Sequence, residues 1–258
     1  MSVLYEVTNG VARVTINRPD RMNAVDQETE AALIRTWEQI ERDRSVRVVV
    51  LTGAGERAFS AGADVKSGSG SSGLEYWAAP RPGGFGGIAL RDTLDVPVIA
   101  QVNGHALGGG FEMVLGCDIV VAADHASFGL PEPRIGRLAL DGGIAVLPRR
   151  IPHVWAMGML LTGRRISAAE ALRFGLVNEV VPGAALDGAV EHWVNDILAC
   201  APLSVRAIKQ MVRAGSRLTA QEAQALRLPA LVEALQSQDQ DEGVRAFQEK
   251  RAPVWQGR

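Results

Sequence analysis

Three consecutive glycines, Gly108–Gly110, stand shortly before a glutamate, Glu112. They follow an apolar stretch, Val98–Val102, and an Asn-Gly pair, a pattern that predicts a buried strand, a turn and the start of a helix. The N–H groups at a helix start lack intrahelical acceptors and can bind an anion or stabilise a developing oxyanion. Glu112 can act in catalysis or only stabilise the first helical turn. This stretch leaves both interpretations open.

Two further segments could contribute to a site. Glu132, the second candidate carboxylate, lies between Pro131 and Pro133 on a rigid, non-helical segment. Residues 67–87 are rich in Gly, Ser and Pro but contain aromatic side chains: Tyr76, Trp77 and Phe85. Such a segment can be a flexible surface loop, or its aromatic rings can line a substrate pocket.

The composition is that of an ordinary globular protein. The 258 residues, 47% hydrophobic and 22% charged, can bury the core of one large domain. A formal net charge of −2 argues against a nucleic-acid or anionic membrane surface, and no apolar run reaches membrane-spanning length. The four histidines lack metal-ligand spacing, so we expect no metal site. Cys117 and Cys200 form no C-x-x-C motif, and we expect both to be reduced core residues of a cytoplasmic protein.

Strand and helix signals alternate along the first part of the chain. Asn9-Gly10, between two stretches of alternating polarity, predicts a hairpin, and Asp26 can cap a helix. Val46–Thr52 is typical of a strand covered on both faces, and a further helix is expected over Ile88–Leu94. Repeated strand–helix–strand units predict an α/β fold with a mostly parallel sheet.

The later part of the chain is helical. Two capping boxes, Ser167–Glu170 and Thr219–Glu222, each predict a helix start. From Leu186 onward the pattern is helical, with a break at Pro202. We therefore predict an α/β core over residues 1–200 and a C-terminal helical region over residues 201–258.

Five motifs resemble, in one order and register, those of the crotonase superfamily, the enoyl-CoA hydratases and isomerases. They are A-F-S-A-G-A-D-V-K (58–66), V-I-A-Q-V-N-G-H-A-L-G-G-G-F-E (98–112), C-D-I-V-V-A (117–122), F-G-L-P-E (128–132) and F-Q-E-K-R-A-P-V-W (247–255). The resemblance implies a crotonase-like spiral of ββα units with a C-terminal helical region used in trimerisation. Trimers of the family often stack as hexamers.

The resemblance also implies a site for an acyl-CoA thioester. By matched position, the backbone N–H groups of Ala63 and Gly109 form an oxyanion hole, whose two fixed donors stabilise the enolate of the thioester. Glu112 and Glu132 match the paired carboxylates of the hydratases. This match implies that Glu132 exchanges the proton at the α-carbon and that Glu112 orients and activates water. Isomerases of the superfamily generally use one carboxylate, so the pair favours a hydratase.

CoA binding is implied for two loops and for the tail. The loop residues are Met22, Ala24, Val25, Ala61, Asp64, Val65 and Lys66. Phe247 and Lys250 match tail positions that reach the CoA site of a neighbouring subunit in the family. For Lys66 and Lys250, solvated surface charge is the alternative interpretation.

We therefore expect a cytoplasmic, enoyl-CoA hydratase-like lyase that adds water reversibly across the C2–C3 double bond of a 2-enoyl-CoA. CoA is expected as part of the substrate, without a further cofactor, and the enzyme as a homotrimer or a hexamer. The alternative functions are crotonobetainyl-CoA hydration, enoyl-CoA isomerisation, β-diketone hydrolysis and a catalytically idle scaffold. A scaffold does not require Glu112, Glu132 or the three glycines.

Asp141 departs from the hydratase pattern, because A-L-D-G-G (139–143) stands where typical hydratases carry P-G-A-G-G. Asp141 can cap a helix whose first turn holds Gly142, Gly143 and Ile144, a role worth about 1 kcal/mol. Alternatively it is a third acidic group at the site, as in the dehalogenases and diketone hydrolases of the superfamily. There it would raise the pKa of a neighbouring glutamate or bind a cationic head group such as the trimethylammonium of crotonobetaine. Capping is the interpretation that the sequence favours.

Overall fold

The computed structural model describes residues 1–64, 73–79 and 81–258. The strands in this part of the chain are β1 (Val3–Thr8), β2 (Val11–Ile16), β3 (Val48–Gly53), β4 (Ala58–Ser60), β5 (Val98–Val102), β6 (His105–Leu107), β7 (Ile119–Ala123), β8 (Ser127–Gly129), β9 (Arg165–Ser167) and β10 (Glu179–Val181). The α-helices are α1 (Gln27–Arg42), α2 (Gly73–Ala78), α3 (Gly109–Leu115), α4 (Gly143–Arg150), α5 (His153–Thr162), α6 (Ala168–Arg173), α7 (Leu186–Leu198), α8 (Pro202–Gly215), α9 (Ala220–Ala225), α10 (Pro229–Leu235) and α11 (Gln238–Glu249). Short 3₁₀ helices cover Pro19–Arg21, Phe85–Gly87, Glu132–Ile135 and Gly183–Ala185.

The strands form two sheets that the chain visits in turn. The larger sheet has the order β1-β2-β3-β5-β7-β10 and is parallel except for the β1–β2 hairpin. The smaller sheet has the order β4-β6-β8-β9, with only β8 and β9 antiparallel. Each of the pairs β3/β4, β5/β6 and β7/β8 adds one strand to each sheet. This repetition is the spiral of ββα units that the sequence motifs imply, and the α/β prediction is confirmed.

Local signals of the sequence account for several element ends. Asn9 and Gly10 both have positive φ (52° and 81°), as the hairpin turn requires. The Asp26 side chain accepts a hydrogen bond from the Thr29 N–H at 2.9 Å and begins α1. Both predicted capping boxes are present, at the starts of α6 and α9. These predictions are confirmed.

The larger sheet is buried on both faces, and β3 shows why its sequence is continuously apolar. Val48 and Val50 face a cluster formed with α7, whereas Val49 and Leu51 face the main core between the sheets. Successive side chains of a strand point to opposite faces, so a strand covered on both sides needs apolar residues at every position. The sheet is thereby fixed as a rigid platform for the loops at its ends.

The prediction of a helix over Ile88–Leu94 is wrong. A 3₁₀ helix at Phe85–Gly87 is followed there by turns. Gly86 and Gly87 have positive φ (61° and 68°), which breaks a right-handed helix at its start. The apolar residues of this segment are buried all the same: Ile88 and Leu94 belong to the main core.

Helix α8, which begins at Pro202, packs beside one end of the larger sheet, and α9 and α10 pack on α8. On α8, Lys209 Nζ lies 2.6 Å from Asp118 Oδ2, and Arg213 Nη2 lies 2.7 Å from Asp95 Oδ1. The division into units of residues 1–200 and 201–258 stays a prediction. Of the two unpaired cysteines, Cys117 is buried as expected but Cys200 is exposed, which corrects its assignment to the core. In the described ranges, no helix combines the length and apolarity needed to cross a bilayer.

Candidate functional site

One cavity brings together all four predicted catalytic residues and two of the predicted substrate-binding residues. Its volume is about 560 Å³, and we call it the acyl pocket. Its wall contains six of the predicted site residues, namely Ala61, Ala63, Gly109, Glu112, Glu132 and Asp141. Two of the aromatic residues from the glycine-rich segment, Tyr76 and Phe85, also line it. The third, Trp77, is not among the lining residues and is 67% exposed.

The three glycines ahead of Glu112 are each demanded by a different close contact. Gly108 has a φ of +54°, and a Cβ there would lie 2.8 Å from Glu132 Oε1. A Cβ at Gly109 would lie 2.6 Å from the ring of Phe85, and one at Gly110 would lie 2.2 Å from a backbone oxygen of the smaller sheet. Side chains at these positions would therefore push the walls of the pocket apart.

Two backbone N–H groups at the pocket, those of Ala63 and Gly109, have no hydrogen-bond acceptor among the described residues. Ala63 is flanked by hydrogen bonds from Val25 N–H to Gly62 O (2.8 Å) and from Asp64 N–H to Val25 O (2.9 Å), which hold this loop against the loop of residues 22–25. No described residue accepts a hydrogen bond from the N–H of Ala63 or of Gly109. Gly109 is the first residue of α3, where N–H groups have no intrahelical acceptor. Such a pair of donors can bind a negatively charged oxygen.

Glu112 is a buried carboxyl group in the first turn of α3, and its side chain is 4% exposed. Its Oε1 accepts a hydrogen bond from the N–H of Gly143 at 2.9 Å. Burial, assisted by the charges of Asp141 and Glu132, raises the pKa of Glu112 to about 8. Near neutral pH this group therefore holds its proton most of the time, and its ionised form is a stronger base than an ordinary carboxylate.

The sequence predicts a non-helical segment around Glu132, but the structure corrects this: Glu132 is the first residue of the 3₁₀ helix Glu132–Ile135, where flanking prolines are tolerated in the first turn. Burial raises its pKa above the ordinary value. Its Oε1 lies over Gly108, and its Oε2 is buried without a hydrogen-bond partner in the described part of the chain. A buried oxygen that has no partner and faces a cavity is available to exchange a proton with a bound molecule.

The structure corrects the capping role that the sequence favours for Asp141. Helix α4 begins at Gly143 with Gly142 as its N-cap, and no side chain caps it. Gly142 has a φ of +137°, and this backbone turn separates Asp141 from the helix start. Asp141 is instead 6% exposed in the pocket wall, where it accepts a hydrogen bond from the hydroxyl of Tyr76. The third acidic group therefore lies at the site.

Sequence reasoning did not identify the two residues that contact Asp141, namely Tyr76 and Arg81. Arg81 Nε lies 3.8 Å from Asp141 Oδ1, and the Arg81 guanidinium sits 4.1 Å from the centre of the Tyr76 ring. Arg81 also forms an ion pair with Glu30 on α1. Burial and the hydrogen bond to Asp141 raise the pKa of Tyr76, which therefore stays a donor. The ring in the glycine-rich segment was a signal for Tyr76, but no local pattern marks Arg81.

The loop of residues 22–25 is held beside the pocket by Arg18, another residue that sequence reasoning missed. The Arg18 guanidinium donates to the carbonyl oxygen of Ala24 and lies 2.8 Å from Asp26 and 3.0 Å from Asp64. The carbonyl oxygen of Met22 accepts from the N–H of Ala61 at 2.9 Å. Of the CoA residues implied by the family, Met22, Ala24, Val25 and Asp64 thus adjoin the pocket without lining it.

Of the remaining predicted CoA residues, the two in the tail are not brought to the pocket within this chain. Val65 and Lys66 lie outside the described residues. Phe247 on α11 is 85% exposed, and Lys250 is the left-handed C-cap of the same helix (φ 55°). Neither of these two lines the acyl pocket. Elsewhere too, within residues 1–64, 73–79 and 81–258, no group of three or more His, Cys, Asp or Glu is arranged to hold a metal ion.

Comparison with known proteins agrees with this geometry over the whole chain. The sequence profile described as enoyl-CoA hydratase/isomerase matches residues 6–258. Carnitinyl-CoA dehydratase of Salmonella typhi is 40% identical, covering 99% of this chain and 98% of that protein. (E)-benzylidenesuccinyl-CoA hydratase of Thauera aromatica is 41% identical, covering 100% of both.

Solved structures give the same result. The crystal structure of enoyl-CoA hydratase from Bacillus anthracis superposes with a TM-score of 0.92 at 34% identity, covering 100% of each chain. That of enoyl-CoA hydratase from Mycobacterium tuberculosis H37Rv gives 0.90 at 34% identity, covering 100% of this chain and 99% of the other. The resemblance to the crotonase superfamily is confirmed, and the chain belongs to the enoyl-CoA hydratase/isomerase family.

Proposed function

We propose that the acyl pocket catalyses reversible addition of water across the C2–C3 double bond of a 2-enoyl-CoA, with Glu112 and Glu132 as its acid–base pair. One observation carries the proposal: two backbone N–H groups without an acceptor among the described residues and two carboxyl groups, Glu112 buried and Glu132 half-buried, line one cavity of about 560 Å³. Family membership supports a hydro-lyase, since the similar proteins named above are a hydratase and a dehydratase.

The chemistry assigns a separate task to each group. The N–H groups of Ala63 and Gly109 hold the thioester oxygen and stabilise the negative charge that it gains when C3 is attacked. Glu112 in its ionised form takes a proton from water as the water oxygen bonds to C3. Glu132 in its neutral form gives a proton to C2, so one water molecule is added in total. In dehydration the same two groups exchange protons in the opposite sense.

The direct test is incubation of the purified protein with crotonyl-CoA while the absorbance of the conjugated thioester is followed. We expect that absorbance to fall and the 3-hydroxy product to form. Parallel assays with a 3-enoyl-CoA and with a β-diketone test the isomerase and hydrolase alternatives. A protein that converts either of these but hydrates no 2-enoyl-CoA would overturn the proposal.

Asp141 favours a second candidate, hydration of crotonobetainyl-CoA. A buried carboxylate in the pocket wall suits a cationic acyl group, because an ion pair offsets the loss of hydration for both charges. The test compares crotonobetainyl-CoA with its uncharged tert-butyl analogue, which has the same shape. A clear preference for the cation supports this candidate, whereas equal rates exclude a role for the charge. Because Tyr76 and Arg81 already engage Asp141, we propose that it acts as a charge rather than as a nucleophile.

We propose that turnover needs no metal or cofactor beyond the CoA of the substrate. The backbone donors supply the charge stabilisation, and the two glutamates supply the proton transfers. Activity on crotonyl-CoA should therefore survive prolonged dialysis against EDTA. Loss of activity on dialysis, restored by a divalent cation, would contradict this. A cytoplasmic location is part of the proposal and is supported by the two unpaired cysteines, Cys117 and Cys200.

We propose a homotrimer, or a hexamer of two trimers, in which the tail completes the CoA site of a neighbour. Exposed apolar side chains on the C-terminal helices support an assembly: Ile208, Val212, Leu235, Val244 and Phe247. Light scattering should give a mass of three or six chains. Phe247→Ala and Lys250→Ala should each weaken CoA binding severalfold, and Lys250→Ala should leave Tm unchanged because its side chain is exposed. An unchanged CoA affinity in both variants would contradict the role of the tail.

A further inference from the structure

A second cavity, of about 390 Å³, lies at the opposite end of β3 from the acyl pocket. Its wall includes Arg44, Arg47, Arg206 and Trp255, and we call it the arginine pocket. Arg47 directly precedes β3, whereas Gly53 at the other end of the strand packs against the loops beside the acyl pocket. The six residues of β3 separate these ends by about 20 Å. The arginine pocket is therefore not part of the site described above.

Two arginines carry positive charge into this pocket without a carboxylate partner in the described part of the chain. Arg47 Nη2 donates to the carbonyl oxygens of Leu198 (2.8 Å) and Cys200 (2.7 Å), while its Nε is buried and has no acceptor among the described residues. Arg206 Nη2 donates to the carbonyl oxygen of Val46 at 2.9 Å. Burial lowers the pKa of both guanidinium groups, as expected for charges that lack compensation.

The acidic side chains around these arginines are already engaged by other groups. Asp239 is the carboxylate whose charge raises the pKa of Arg47. It accepts hydrogen bonds from the backbone N–H groups of Gln256 (2.6 Å) and Gly257 (2.9 Å). The charges of three carboxylates raise the pKa of Arg206, and each carboxylate has another partner. Asp43 accepts a hydrogen bond from the N–H of Ser45, Asp95 pairs with Arg213, and Glu233 pairs with Arg44. These carboxylates are held by other groups, so the guanidinium groups of Arg47 and Arg206 border open space without a carboxylate in contact among the described residues.

We propose that the arginine pocket binds a small anion that carries phosphate groups. Guanidinium groups present paired N–H donors that match phosphate oxygens, and an anion would supply the acceptor that Arg47 Nε lacks. Arg44, 76% exposed and paired with Glu233 at 2.8 Å, stands at the mouth, where an anion would compete with Glu233 for its guanidinium. The ring of Trp255 forms an apolar wall and is anchored by a hydrogen bond from its Nε1 to the carbonyl oxygen of Ala199 at 2.8 Å. An aromatic base joined to the phosphates can stack on such a ring.

The test is a calorimetric titration of the full chain with pyrophosphate at low ionic strength, where screening of charges is weak. We expect saturable binding that weakens as salt is added. Arg47→Gln and Arg206→Gln should each weaken it at least about tenfold, since each removes a charge-assisted contact. Arg44→Gln changes an exposed residue, so it keeps the fold and should weaken binding severalfold. Arg35→Gln, an exposed arginine of α1 outside both pockets, is the matched control and should bind like the natural chain.

Two further arms make the result decisive. The titration is repeated with saturating acetyl-CoA, which blocks the CoA site but should leave pyrophosphate binding intact. ADP replaces pyrophosphate in the second arm, and tighter binding of ADP identifies a nucleotide that stacks on Trp255. No saturable binding, equal binding by Arg44→Gln and Arg47→Gln compared with the control, or complete competition by acetyl-CoA would each overturn the proposal.

Discussion

The acyl pocket has two walls of different construction. The glycine wall, residues 108–112, belongs to the core, and every residue of α3 is buried. The acidic wall, residues 131–141, consists of a 3₁₀ turn and a loop in which residues 133–138 are all exposed. Only Glu132 and Asp141 of that wall bring carboxyl groups into the pocket. One wall is thus held by the protein interior, and the other by a few side-chain contacts.

This difference indicates how the walls divide the work. The glycine wall cannot move, because the positions of its glycine Cα atoms are set by contacts with the Phe85 ring and with backbone of the smaller sheet. Charge stabilisation by backbone donors needs such a fixed geometry. The acidic wall is exposed and irregular, as are many segments that differ among relatives with different substrates. We infer that the first wall serves the reaction and that the second adapts it to an acyl group.

The largest expected effect comes from the two carboxyl groups, one in each wall. Glu112→Gln and Glu132→Gln should each lower kcat on the best enoyl-CoA by about 10²–10⁴-fold, because each removes a proton-transfer group without changing shape. CoA-thioester binding should stay within a few-fold. Glu28→Gln, at an exposed glutamate of α1, is the control. Near-natural turnover in either variant would refute the paired mechanism.

Gly109 tests the fixed wall with the next largest effect. Gly109→Ala keeps the N–H but adds a Cβ that would lie 2.6 Å from the Phe85 ring. Gly109→Pro adds the same atom and also removes the N–H, in the first helical position, where proline is tolerated. The proline variant should therefore be about 10²–10³-fold slower than the alanine variant on every substrate. Circular dichroism checks that both are folded, and equal rates in the two variants would exclude Gly109 as a donor.

Asp141 tests the adaptable wall. Asp141→Asn keeps an acceptor for the Tyr76 hydroxyl but removes the charge. We expect the preference for crotonobetainyl-CoA over its uncharged analogue to fall about tenfold, the size of one lost ion-pair contact, with crotonyl-CoA turnover changed only a few-fold. Kinetics on the three substrates measure this. A general loss of turnover, equal for all three, would instead assign Asp141 to the reaction itself.

The pH dependence of hydration should shift with the same variant. Hydration requires ionised Glu112 and neutral Glu132, so kcat/KM follows a bell-shaped pH profile with one limb near the pKa of Glu112, about 8. The charge of Asp141 contributes to that raised pKa, so Asp141→Asn lowers it and moves that limb to lower pH. Profiles of crotonyl-CoA hydration test this, and an unmoved limb in Asp141→Asn would contradict the coupling of the two walls.

A further effect is on stability. The pKa of Glu112 is raised from 4.5 to about 8 on folding, so the folded state keeps a proton that the unfolded chain has lost. The free energy of unfolding therefore falls as pH rises between these values, by up to about 1.4 kcal/mol per pH unit from this group. Glu112→Gln should flatten that part of the curve in urea titrations. An equally steep fall in the variant would show that other groups cause it.

Most of the glycine wall could be predicted from the sequence. Gly108, Gly109 and Glu112 are adjacent in the chain, and the backbone needs of a tight turn and a helix start appear directly as glycines. Similar local rules gave the hairpin at Asn9-Gly10 and the cap at Asp26. Sequence motifs also pointed to Ala63, although its approach to Gly109 depends on two loops meeting through the fold.

The acidic wall was decided by the tertiary structure. By local preference Asp141 is a helix cap, yet it bonds Tyr76, 65 residues earlier in the chain. Arg81 lies beside the same aspartate and is itself held by an ion pair with Glu30 of α1, 51 residues earlier in the chain. Contacts of this kind depend on where loops meet on a finished scaffold, and no local period or residue preference encodes them. The sequence by itself therefore determined the backbone conformation at positions where residues adjacent in the chain require it. The partners of Asp141 and the raised pKa values of Glu112 and Glu132 arise only from burial and from contacts between distant segments.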